Sequence, residues 1–215
     1  MPSPVDHLIF ATPQLQEGVD YLQSLLGLRA ISGGAHPGLG TCNALIALGQ
    51  NCYLEVIGPN PEQKNFDGER PFGIDALEGC GQLAGWAARR AGLASFRNIV
   101  NPEVVVVSDV IPLSRQTPEG ELLEWQLSFL SNISASMLSV LPFFIDWGDT
   151  PHPSTQCVGQ AQLKCLEIEY PQAANIMPVI DTLELEVTVT VTTASKPGLR
   201  AVIECPKGDI ELRTS

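Results

Sequence analysis

The sequence predicts an α+β fold. Repeated strand–helix–three-strand (βαβββ) units form curved mixed sheets around a cleft, with their helices on the outer face. Three observations predict it. VDHLIFATP (5–13) and LKCLEIEYP (163–171) are both strand-like runs ended by a proline. Each is followed by a helix-like run and then three more strand-like segments. PGLG (37–40) is echoed by PGLR (197–200), and NCYLEV (51–56) by GDIEL (208–212). Self-similarity in fixed order reads as internal duplication.

The elements follow in order. VDHLIFATP is a strand by its apolar and β-branched content. In LQEGVDYLQSLLG (15–27), Leu15, Val19, Leu22, Leu25 and Leu26 fall near helical spacing, and Gly27 supplies a stop. LRAISGGAHPGLG (28–40) is a strand running into a glycine-rich turn. NALIALG (43–49) and CYLEVIG (52–58) are strands joined by the tight-hairpin signal GQN. A looser copy follows: QLAGWAARR (82–90) as first strand, LASFRNIVN (93–101) as helix, then VVVVSDVIPL (104–113), ELLEWQLSF (121–129) and LPFFIDWGD (141–149) as strands, with TPEGEL (117–122) as the turn. In the last copy NIMPVIDTL (175–183) takes the helix position, with Pro178 confined to its first turn, and residues 185–213 supply three strands. The units therefore span 1–60, 80–150 and 160–215, within one structural domain. The connectors at 59–75 and 148–160 are rich in Pro, Gly and polar residues.

The 215 residues are 44% hydrophobic and 17% charged, a globular composition. The net charge of −12 argues against nucleic-acid binding, which needs Lys and Arg at phosphates. No apolar run is long enough to span a membrane, and the N-terminus lacks signal-peptide order, so a cytoplasmic protein is expected. The six cysteines form no CxxC pair and are expected reduced and mostly buried.

DHLIFATP, GGAHPGLGTCNALIALG with CYLEVIGPNP, RPFGID, PEGELLEWQL and LPFFIDWGDTPHPS resemble the glyoxalase-like domain family of the vicinal oxygen chelate superfamily. The resemblance covers roughly residues 5–155. It implies a metal site built from the first and last strands of a unit, on the cleft face. His7 and Glu55 hold those positions here. Strand parity supports them: His7 shares a face with Val5, Ile9 and Ala11, and Glu55 with Tyr53 and Ile57. Imidazole plus carboxylate suits a divalent metal: Zn, Mn, Ni or Fe. The other units offer less. Trp86 falls near the position of His7 and Ile145 opposite Glu55, while Cys165 and Glu211 lie on solvated-looking faces. His7 and Glu55 could equally satisfy each other by a hydrogen bond without metal.

His36 on the glycine-rich loop, Asn43 and the aromatic Trp125 are candidate substrate contacts. The function implied is a metal-dependent lyase or isomerase acting on a small oxygenated metabolite, with Glu55 moving the proton. The alternative is a metal-free small-molecule binding protein of the drug-resistance type. An iron dioxygenase ranks last, because its second histidine would have to be His36 or His152, both in loop-like segments. The partner is a small molecule. A homodimer follows if units pair between chains rather than within one.

Overall fold

The computed structural model describes residues 3–117, 120–157, 159, 161–185 and 189–214. Pro118 and Glu119 of the TPEGEL turn, and residues 186–188 of the C-terminal strand run, lie outside the described residues.

The first unit comprises β1 (Val5–Ala11), α1 (Leu15–Leu26), β2 (Ile31–His36), β3 (Thr41–Ala47) and β4 (Tyr53–Pro59). Helix α1 ends where Gly27 adopts the left-handed conformation (φ 70°) and donates its N–H to the Gln23 carbonyl. The second unit comprises β5 (Gln82–Arg89), α2 (Leu93–Ile99), β6 (Val106–Val107), β7 (Ile111–Gln116), β8 (Leu122–Ser128), β9 (Leu130–Ser131), α3 (Ala135–Leu138) and β10 (Phe143–Asp146). The valine run at 104–113 is thus not one strand. β6 leaves the main sheet to pair with β9, and β7 starts only at Ile111.

Eight strands form one curved sheet in the order β2-β3-β4-β1-β5-β10-β8-β7. In each unit the first and last strands run parallel: β1 with β4, and β5 with β10. β1 and β5 pair antiparallel at the centre, so the two units join within one chain. The end strands β2 and β7 come close without a ladder: a Cβ on Gly34 would stand 2.8 Å from the Gln116 carbonyl oxygen. The sheet is therefore nearly closed around a cleft.

Alternation splits β1 and β4 between two environments. Leu8, Phe10, Leu54 and Val56 point outward under α1, joined by Leu22 and Leu26 of the helix. Trp86 and Phe144 do the same under α2, against Phe96. His7, Ile9, Tyr53, Glu55 and Ile57 point the other way, into the cleft.

The C-terminal segment comprises β11 (Gln162–Tyr170), α4 (Ala173–Leu183), β12 (Val189–Thr193), β13 (Gly198–Cys205) and β14 (Gly208–Arg213). Its element order is that of the first unit. Its pairing is not: the strands run β12-β11-β13-β14, and β11 takes β12 as its parallel neighbour. Leu166, Ile168 and Tyr170 face the common core. On the opposite face Glu167, Glu169 and Glu211 pair with Arg200 and Arg213, a solvated surface and not a second cleft. All six cysteines are free thiols, but only Cys52 and Cys205 are buried. Among the described residues no helix is long and apolar enough to cross a membrane.

Candidate functional site

The site begins with an irregularity in β1. The register against β5 shifts between Val5 and His7, leaving Asp6 as an extra residue. In a regular strand neighbouring side chains point to opposite faces. The bulge instead lets Asp6 reach its neighbour, and His7 Nδ1 lies 2.7 Å from Asp6 Oδ1. Asp6 is fully buried. Its Oδ2 also accepts from Trp147 Nε1 at 3.2 Å and His152 Nε2 at 3.1 Å. Burial alone would push this carboxyl upward in pKa, but the hydrogen bonds from His152 and His7 outweigh it and bring the value down to about 2.

These bonds fix the tautomers. An ionised carboxylate only accepts, so His7 carries its proton on Nδ1 and His152 on Nε2. His152 Nδ1 correspondingly accepts from the Ser154 N–H. In the neutral His7 ring Nε2 is then a bare lone pair, and it faces Glu55 Oε2 across 3.6 Å.

Glu55 is 7% exposed. Its Oε1 accepts from Asn43 Nδ2 at 2.6 Å, and His36 Nε2 lies 3.6 Å away. His36 is the last residue of β2, held by a 2.9 Å contact between Nδ1 and Thr41 Oγ1. Burial lowers its pKa, so the ring is neutral at pH 7. Arg115 enters from β7. It is 6% exposed, donates Nη1 to the Gly33 carbonyl across the seam, and sets a positive charge in the field of Glu55. Tyr53 stacks on His7 (centroids 4.6 Å apart, 15° between planes), and burial holds its phenol protonated.

Tyr53 and Arg115 line, with His7 and Glu55, a cavity of about 260 Å³ whose aromatic wall includes Phe72, Trp125, Phe143 and Trp147; Asp6 and His152 lie behind it. His7, Glu55, His36, Asn43 and Trp125 all border it. Trp86 does not. It packs outward under α2, and Ala87 and Ile145 stand on the cleft side in the second unit. His36 and His152 are not loop residues remote from the cluster, so all three histidines of the chain gather around Asp6 and Glu55. Sequence reasoning missed the roles of Asp6 and Arg115 and set His152 aside as a loop residue. Arg115, a lone cation inward on a short strand, carried a usable signal. The role of Asp6 depends on a bulge that no periodicity reveals.

Asn43 Oδ1 is buried and has no partner among the described residues. It rests against Gly33, where an added Cβ would stand 2.1 Å away. Gly33→Ala is expected to expel the Asn43 amide, unpair Glu55 and lower stability by about 1–3 kcal/mol. A thermal melt beside a ligand titration checks it.

A sheet of two βαβββ units folded about one cleft defines the chain as a protein of the vicinal oxygen chelate fold. It belongs to the glyoxalase-like domain family, whose model matches residues 5–183. The structure is similar to that of a hypothetical protein from Staphylococcus aureus: 18% identity, 98% of this chain and 85% of that chain covered, TM-score 0.67. It is also similar to a Streptomyces coelicolor methylmalonyl-CoA epimerase variant in complex with 2-nitronate-propionyl-CoA: 16% identity, 71% and 100% covered, TM-score 0.50. A hypothetical protein from Bacillus halodurans gives 17% identity, 70% and 99% covered, TM-score 0.49. The search of curated proteins gave no match.

Proposed function

We propose that the cleft is the active site of an isomerase or lyase that moves a proton on a small oxygenated metabolite. The observation that supports this is Glu55: a carboxylate at the wall of an apolar cavity, oriented by Asn43 and faced by two imidazole nitrogens. Glu55 takes the proton from a substrate carbon next to a carbonyl. Arg115 holds the oxygen on which negative charge collects. Asn43 Nδ2 holds the Glu55 carboxylate in place, and the Trp125 wall excludes water.

A divalent metal (Zn, Mn, Ni or Fe) is the second reading. What favours it is the bare Nε2 of His7, oriented by Asp6 as a metal-bound histidine is oriented by its second partner. The donor set fits it only in part. His7 and Glu55 supply two donors, the facing strands supply Ala87, Phe143 and Ile145, and no group of three ligands is assembled among the described residues. Arg115 also brings a fixed cation to the same space. No step is therefore routed through a metal.

The test is exchange of substrate α-protons into D2O, followed by NMR on a panel of 2-oxo acids and hydroxy ketones. Wild-type protein is expected to wash out the α-proton of at least one compound, and Glu55→Gln to slow that by about 10²–10⁴-fold at unchanged folding. Exchange that Glu55→Gln leaves intact would overturn the assignment. Metal content of wild type beside His7→Ala separates the two readings: near-stoichiometric metal lost in the variant favours the second.

A further inference from the structure

We propose that the groove beside α3 is a continuation of the cavity and holds an apolar tail on the ligand whose oxygenated head lies at Glu55. This rests on the reading of Glu55 and Arg115 as the head-group site. The groove, about 550 Å³, runs from α3 across β5 to the C-terminal sheet, over Trp86. Three side chains line both it and the inner cavity: Phe72, Phe129 and Phe143. Their rings form the partition. Phe143 lies 5.8 Å from Phe129 and 6.4 Å from Phe72, and its edge meets His7 at 5.6 Å.

Two features mark this partition as built for passage. Phe72 sits at φ 60°, ψ 22°, a left-handed conformation that a bulky L residue holds only at a cost of about 1–3 kcal/mol. Strain of that kind concentrates at ligand clamps. Opposite it, Gly85 on β5 leaves the space the ring needs, since an added Cβ would stand 3.2 Å from Phe72 Cε1. Phe129 and Leu138 are both 42% exposed along the groove, apolar surface left in water.

Size and charge select the occupant. Ligand pockets commonly measure about 300–1,000 Å³. The inner cavity alone falls below that range, and cavity plus groove falls within it. The polar residues lining the groove, Gln82, Ser139 and Thr214 among them, carry no charge, whereas the inner cavity holds His7, Glu55 and Arg115. The ligand class is thus an amphipathic carbonyl compound: an oxygenated head with a hydrocarbon tail.

The experiment titrates the full chain with straight-chain 2-oxo acids from 2-oxobutyrate to 2-oxododecanoate. Binding is read by calorimetry and by the fluorescence of Trp86, Trp125 and Trp147. Affinity is expected to rise with each methylene once the chain passes Phe143, by at most about fourfold, the ratio equivalent to about 0.8 kcal/mol. Ala135→Trp, an exposed position on the groove wall, is expected to abolish that gain and leave 2-oxobutyrate unchanged. Affinity independent of chain length, long-chain binding indifferent to Ala135→Trp, or no binding at any length would each overturn the proposal. Failure of the head-group reading looks different: the length dependence persists, but Arg115→Met leaves the whole series unaltered.

Discussion

Asp6→Ala is expected to lower the unfolding free energy by about 3–5 kcal/mol, measured by urea denaturation at pH 7. The carboxylate is fully buried and receives His7, His152 and Trp147 together. Removing it strands three donors in the core, on strand β1 and on the chain that follows β10. The same group predicts an acid limb. Its pKa is about 2 in the folded chain against 3.8 for the free side chain. The folded value is depressed, so the stabilisation is fully present above pH 3.8 and is lost as pH falls towards 2. It amounts to about 2 kcal/mol, from about 1.4 kcal/mol per pKa unit. Asp6→Asn should flatten stability against pH across that window. An unchanged acid limb would show that other carboxylates govern it.

Trp86→Ala is expected to cost about 3–5 kcal/mol by the same measurement. Trp86 is fully buried, and its Nε1 donates to the Val140 carbonyl at 2.9 Å. That bond ties β5 to the chain just before β10. Trp86→Phe retains most of the volume and orphans the carbonyl, for a smaller loss of about 1–3 kcal/mol. Equal losses in the two variants would mean that the hydrogen bond, and not the packing, dominates.

Much of this architecture is legible in the sequence, and the exceptions have physical reasons. Alternation in VDHLIFATP and CYLEVIG places His7 with Ile9 and Glu55 with Ile57, because a strand displays its two faces with period two; Val5 lies instead on the helix side, because the bulge at Asp6 breaks the period. Gly27 marked a helix end because only a left-handed residue fits there. Trp86 lies on the helix side because β5 meets β1 with Trp86 opposite Leu8, a pairing that no spacing along the chain reveals. The C-terminal segment repeats an order of elements, but strand partners are chosen by long-range packing, and β11 took β12. Arg115 reaches the site only through the closure of the sheet, and Trp147 and His152 through the chain that follows β10, tertiary events without a local pattern.

That closure has a consequence for association between copies. An uncovered strand edge is a template on which another chain can add a strand. Here the two ends of the large sheet face each other, with Gly33 and Gly34 allowing the approach and Arg115 spanning it. At the point of contact between Gly34 and Gln116 no third strand fits between them. The four-stranded sheet is different: its outer strands are β12 and β14. β14 carries Asp209, Glu211 and Arg213, charges that discourage a bare neighbour. β12 reads VTVTT and carries none. Of the two outer strands of that sheet, the uncharged β12 is the one on which strand addition is expected.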